Sequence, residues 1–274
     1  MSKNTSIQRK IVRYSEAKLN VVEDEIVTEF PLTILVNNDE FATIVCTPSH
    51  LDEMVVGFLA SEGIIRMKDD IKDLSIDEGK GFAYVQLHSQ QITNQQYYSK
   101  RFIGSCCGKS RQFYFQNDVR TAKTSTTKTT ITPEDCISLM KNLQESSNMF
   151  HQTGGVHNAG LCDSTTMLVS RTDIGRHNAI DKLFGYSIIH KIPVRDKILV
   201  FSGRISSEVL TKAAKIGVGI ILSKSAPTDL AIQLAEDLNI TAVGFIRGSS
   251  FNIYSHPERI VLLAEQKKED TNSE

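Results

Sequence analysis

The sequence predicts a two-domain protein, a small α+β unit followed by a layered α/β unit. Three observations predict it. Residues 30–105 hold short apolar runs of period two around a single amphipathic helical stretch. Residues 121–130, TAKTSTTKTT, have no periodicity and the composition of a linker. From residue 132 onward, strand-like runs alternate with helical stretches of about 10–15 residues, the pattern of βαβ units. The boundaries that follow are an N-terminal arm over 1–25, a small α+β domain over 26–110, a linker over 111–131 and an α/β domain over 132–274.

Each element has its own signal. The arm is polar, with a weak pattern at Ile7, Ile11 and Val12 that suits a loosely held segment or a first strand. PLTILVN and FATIVCT flank the turn-like NNDE at 37–40, a hairpin signal. Met54, Val55, Phe58 and Leu59 repeat at helical spacing, with Ser49 or His50 as the expected cap and Gly63 as the stop. IKDLSID, GFAYVQLH and RFIGS read as further short strands. Beyond the linker, Thr132-Pro133-Glu134 opens a helix with a cap, a proline in the first turn and an acid near the positive end. VHNAGLC and TTMLVSR form a strand pair, and GRHNAIDKLFGYSIIH a helix. KILVF, GIILS, ITAVGFI and FNIYS are strands, and SSEVLTKAAKIG and APTDLAIQLAEDLN are helices between them.

Composition narrows the function classes. The 274 residues are 40% hydrophobic and 23% charged, and the formal net charge is -1, which suits a soluble globular chain and excludes a strongly basic nucleic-acid coat. No apolar run approaches the ~18 residues of a membrane span. MSKNTSIQRK lacks the apolar core of a signal peptide. The cysteines number five, an odd count with two adjacent, so a reduced cytoplasmic setting is expected rather than a disulfide framework.

The sharpest chemical feature is GSCCGKSR at 104–111. Cys106 and Cys107 stand in a small-residue loop with Arg101, Lys109 and Arg111 close in sequence. Cations stabilise a thiolate, which a nucleophilic or sulfur-carrying cysteine needs. Neighbouring Cα atoms are ~3.8 Å apart, short of the about 4.4–6.8 Å of relaxed disulfides, so a routine bridge between the two is disfavoured. Two partly buried thiols in a turn is the plain alternative. Cys46, Cys136 and Cys162 read as buried structural thiols, and no zinc-ligand spacing is present.

Two His-Asn dipeptides stand in glycine-bearing turns, GGVHNAG and GRHNAID. His177 falls in the first turn of its helix, where free N–H groups favour an anion. SGRISSE, with Arg204, joins a strand to a helix as a phosphate-binding turn does, but lacks full P-loop spacing. FIRGSSFNIYS offers Arg247 and Gly248 for phosphate, with Phe251 and Tyr254 for stacking; an ordinary hairpin with core aromatics is the alternative. LSKSAPTD offers Lys224 in what reads as a solvated turn. Such turns at strand ends of an α/β sheet point to an anionic, nucleotide-bearing ligand.

Taken together, LDEMVVGFLASEGII, the cysteine loop, TGGVHNAGLC, DIGRHNAIDKLFGY, the segment from SGRISSE to AIQLA, and FIRGSSFNIYSHPERI resemble the formate dehydrogenase accessory sulfurtransferases of the FdhD type. The resemblance covers most of the chain from about residue 30 to 260. It implies a carrier that takes persulfide sulfur from a cysteine desulfurase. It passes that sulfur to the molybdenum cofactor, a bis(molybdopterin guanine dinucleotide), before the cofactor enters formate dehydrogenase. It implies a cytidine-deaminase-like three-layer α/β/α second domain and a homodimer, with no metal bound directly by the protein and no nucleic-acid or membrane partner. The family loop reads C-G-x-C-G; here it is shortened, and only Cys107 precedes a glycine, which makes Cys107 the expected carrier and Cys106 an auxiliary thiol or a relay. The family's cofactor contacts carry over to Phe245, Ile246, Arg247, Gly248, Ser249 and Ser250, with Phe251 at the edge. His177 and the Arg204 turn correspond to where a deaminase fold holds zinc, without the deaminase ligand set. The competing reading is a cofactor-binding chaperone without sulfur transfer. A zinc deaminase is disfavoured on its ligands.

Overall fold

The structure is a computed structural model that describes residues 3–89, the backbone of 101–103, and residues 122–262. The N-terminal arm is a two-stranded antiparallel ribbon, β1 (Ser6–Ser15) with β2 (Lys18–Val27), turning through Glu16 and Ala17 in left-handed backbone. A ribbon escapes a search for periodicity because it buries little of either face, so its apolar residues are not set apart from its charges.

The small unit is a five-stranded sheet. Its strands are β3 (Phe30–Val36), β4 (Asp39–Cys46), β5 (Ile71–Asp77), β6 (Phe82–Leu87) and β7 (Arg101–Ile103), in the spatial order β5-β6-β3-β4-β7. The β3–β4 hairpin turns at Asn37 and Asn38, both left-handed, as a tight two-residue turn demands. Helix α1 (Leu51–Ser61) closes the core of Leu32, Ile34, Ile44, Met54 and Leu59. Neither expected residue caps it. His50 is left-handed with no side-chain capping bond, and the Ser49 hydroxyl accepts from the Lys182 ammonium instead, at 3.4 Å.

The larger unit is a six-stranded mixed sheet. Its strands are β8 (His157–Cys162), β9 (Met167–Asp173), β10 (Ile198–Phe201), β11 (Ile220–Ser223), β12 (Thr241–Arg247) and β13 (Ser250–Ser255), in the order β13-β12-β11-β10-β8-β9. β10, β11 and β12 are parallel, and β8 runs antiparallel to both β10 and β9. Period-two alternation divides its side chains between two cores. Ile198, Val200, Ile220, Leu222 and Val243 join the core containing helix α2 (Pro133–Glu145), and Leu199, Phe201, Ile221 and Ala242 face the other way. That second face is covered by α4 (Arg176–Ile189), α5 (Ser207–Ile216) and α6 (Asp229–Asp237); the short α3 (Asn148–Thr153) follows α2. The Thr132 and Ser206 caps are made, to the N–H groups of Asp135 and Val209.

The described part of the Thr/Lys run lies along the larger unit. Ser125 is buried, and its N–H donates to the Leu238 carbonyl at 2.8 Å. The two units meet where α1 crosses α4, and glycine sets the distance. A Cβ on Gly57 would stand 1.8 Å from the Asp181 carbonyl oxygen, and one on Gly185 would stand 1.8 Å from that of Glu53.

Candidate functional site

Strand directions bring the polar turns to one edge of the larger sheet. β10, β11 and β12 all end there. β8 begins there, since Ala159 pairs with Phe201, and β9 ends there, since Asp173 pairs with His157. Turn is tied to turn by hydrogen bonds. Ser202 N–H donates to the Asn158 carbonyl (3.0 Å), and Asn158 N–H donates to the Ser202 hydroxyl (2.9 Å). The Ser223 hydroxyl donates to the Gly203 carbonyl (2.7 Å), and Phe245 N–H donates to the Ser225 carbonyl (3.3 Å). Lys224, read as solvated, donates to the Gln144 side chain at 3.0 Å.

His157 and His177 both face this edge. A Cβ on Gly203 would lie 2.8 Å from the Phe201 ring, so the glycine makes room for that core aromatic, and His157 Nδ1 lies at ordinary contact distance, 3.5 Å from the same point. His177 Nε2 lies 2.9 Å from Glu208 Oε2 in the first turn of α5. Burial holds the His177 pKa below its ordinary value, against the pull of Glu208. Burial also lowers that of His157, with Arg176 and His177 adding to the effect. The neutral imidazole is therefore favoured at both positions. Arg176 Nε is buried with no hydrogen-bond partner among the described residues. Arg204 is exposed at the head of its turn.

The β12–β13 hairpin supplies the rest of the edge. Its pairing is interrupted between Gly244 and Arg247, and Phe245 sits there with a positive φ of 55°. That bulge re-aims the strand. It turns the Phe245 ring outward, with the Arg247 guanidinium 5.2 Å from the ring centroid. Gly248, Ser249 and Ser250 are exposed at the tip. Ile246 points the other way and is buried in the core with α2, where Phe251 also packs. Phe245, Arg247 and the hairpin tip are thus presented outward, whereas the Ile246 side chain is not.

Asp173 anchors the site. It is fully buried, and its carboxylate accepts from Gly175 N–H (2.8 Å), the Asn178 amide (2.9 Å) and Thr47 N–H (2.9 Å). Lys182 Nζ stands 2.7 Å from it. Thr47 directly follows β4, and β4 pairs in parallel with β7 as far as Ile44 with Ile103. β7 therefore ends at the same end of the small sheet as Thr47, which Asp173 ties to α4. Cys106, Cys107, Lys109 and Arg111 follow and lie outside the described residues, as does residues 111–121 of the expected linker. The other cysteines are all buried, and burial pushes Cys46, Cys136 and Cys162 up to about 12, so none is a thiolate at neutral pH.

Sequence reasoning singled out His177 and Arg204 for the site, His157 through its His-Asn dipeptide, and Arg176 as a member of a polar group with Asp173, His177 and Asp181. Glu208 closes the SGRISSE motif, but nothing local pairs it with His177, which it reaches from a different helix. No helix among the described residues is long and apolar enough to cross a membrane.

Comparison with known proteins agrees with this architecture. The chain is 60% identical over 260 residues to the sulfur carrier protein FdhD of Bacillus licheniformis, a match that spans 95% of this chain and 99% of that one. It is 58% identical over 260 residues to the Bacillus subtilis protein of the same name and 60% identical over 261 residues to that of Staphylococcus aureus, each match covering 95% of this chain. The crystal structure of a formate dehydrogenase accessory protein from Desulfotalea psychrophila shares the fold. Its TM-score is 0.79 at 24% identity, over 94% of this chain and all of that one. The FdhD/NarQ family model matches residues 27–261, and the chain belongs to that family.

Proposed function

We propose that this protein is a sulfur carrier in formate dehydrogenase maturation. One observation supports the reading beyond family membership: one edge of the larger sheet presents Arg204, Arg247 and the Phe245 ring outward, with an Arg176 donor unpartnered among the described residues at the start of α4, as an anionic nucleotide requires. In this reading a Cys107 thiolate attacks the outer sulfur of a cysteine desulfurase persulfide. The sulfur–sulfur bond breaks, the desulfurase leaves as its thiolate, and Cys107 holds the sulfur as a persulfide. Lys109 and Arg111 favour the anionic form, and Cys106 is the auxiliary thiol. The acceptor is the molybdenum cofactor in its bis(molybdopterin guanine dinucleotide) form, bound as substrate.

The described residues fit such a cargo. Arg204 and Arg247 are exposed cations available to pyrophosphate, and Phe245 offers an aromatic face. Arg176 has a buried donor without a partner among the described residues, at the start of a helix whose N–H groups also suit an anion. Gly248, Ser249 and Ser250 bring backbone donors close at the hairpin tip. Asp173 adds little negative charge here, since the Lys182 ammonium stands against it. Action as a cytoplasmic homodimer, with a deaminase-like larger unit, belongs to the same proposal.

The test is peptide mass spectrometry after incubation with a cysteine desulfurase and cysteine. The expected result is one added sulfur, about 32 Da, on Cys107, removed by reduction, and loss of the addition in Cys107→Ala. Sulfur on Cys106 keeps the function and moves the carrier. No added sulfur on either, with an active desulfurase, favours the cofactor-binding chaperone, for which the arginine edge alone suffices.

A further inference from the structure

The β1–β2 ribbon presents a surface that no described part of the chain covers. Its register pairs Val12 with Val21 and Tyr14 with Leu19, and the alternation of side chains puts all four on one face. They are 63%, 73%, 70% and 72% exposed, respectively. The Ile11–Val22 pair, on the opposite face, is only half exposed. A lone two-stranded ribbon is marginal in water, and adjacent exposed apolar side chains mark a contact surface. The next pair down on the same face is Lys10 with Glu23, both exposed, followed by Gln8 with Glu25.

We propose that this face docks against the same face of a second copy of this chain. The pattern is self-complementary. With a two-fold axis along the ribbon, β1 of one copy lies over β2 of the other. Tyr14 then meets Leu19, Val12 meets Val21 and Lys10 meets Glu23, each contact occurring twice. The quartet is closed off by opposite charges instead of like ones. Each strand of the ribbon is ten residues long, about 34 Å, so face-to-face packing buries on the order of 700 Å² in total, the size of a reversible contact. The inference rests on the homodimer proposed above for its stoichiometry, and it identifies the surface.

The test uses charge reversal and mixing of full-length protein under reducing conditions. Lys10→Glu and Glu23→Lys are each followed by sedimentation velocity over a range of concentrations, with circular dichroism to check folding. Each variant alone sets like charges against each other twice, and its self-association is expected to weaken about tenfold or more. An equimolar mixture restores both pairs, and association is expected to return to within about twofold of wild type. A defect confined to one ribbon is not rescued by mixing. Tyr14→Ser/Leu19→Ser, which leaves the charges alone, is expected to weaken self-association as well. Unchanged association in the single variants, or no rescue in the mixture, overturns this surface while leaving the dimer in place. A wild-type chain that stays monomeric throughout overturns both.

Discussion

At the scale of single residues, burial disfavours the charged form of the site's histidines. His157 and His177 both lie below the ordinary histidine value of 6.5, and so does His50. A histidine whose pKa is depressed by folding stabilises the fold above its unfolded pKa, and that stability is lost as pH falls. Thermal stability is therefore expected to be highest above about pH 6.5 and to drop toward pH 5, followed by melting temperature against pH. His157→Gln is expected to flatten that slope, and an unchanged slope would show that His157 does not titrate with unfolding. The sequence made His177 visible as a histidine at a helix start. It gave no sign of Glu208 beside it, because the pair spans two helices.

At the scale of elements, the crossing of α1 and α4 is the joint between the units. Backbone approaches this close exclude any Cβ, so the pattern of apolar residues is not enough to define it. α4 also buries Asp181 and Lys182, and each has a partner. The Asp181 carboxylate accepts from Lys212 (2.5 Å) and from the Ser61 hydroxyl (2.6 Å), while Lys182 pairs with Asp173. Gly57→Ala forces the helices apart and is expected to cost about 3 kcal/mol or more, at or above the upper part of the overpacking range. Chemical denaturation measures it. A loss below about 1 kcal/mol would mean that the crossing yields easily. The strands and helices beyond residue 132 were legible because alternation and caps are local. The ribbon and the missing cap at α1 were not, since one buries too little to leave a period and the other lost Ser49 to a lysine more than a hundred residues away.

At the scale of the whole molecule, the joint makes the two units interdependent. Arg171 forms a two-pronged pair with Glu53 across it, at 2.5 and 2.7 Å, and the Asn178 amide donates to the Val45 carbonyl. Asp173 joins both sides. Asp173→Asn leaves the Lys182 ammonium buried without its counter-ion and is expected to cost about 3–5 kcal/mol. With β4, α4 and β9 all tied at that point, both units are expected to lose stability together in one unfolding transition. Hydrogen exchange that reports loss of protection in the larger unit alone would contradict it.

The sequence by itself determined the order of most strands and helices, the mixed α/β class, the candidate turns, and the family. These follow from local periodicity, turn chemistry and motifs, which are written residue by residue. Only the tertiary structure decided which turns share an edge, that Phe245 points outward while Ile246 joins the core, and that buried ion pairs lock the units together. Those outcomes depend on strand direction, a bulge and contacts between distant residues, and no local pattern encodes them.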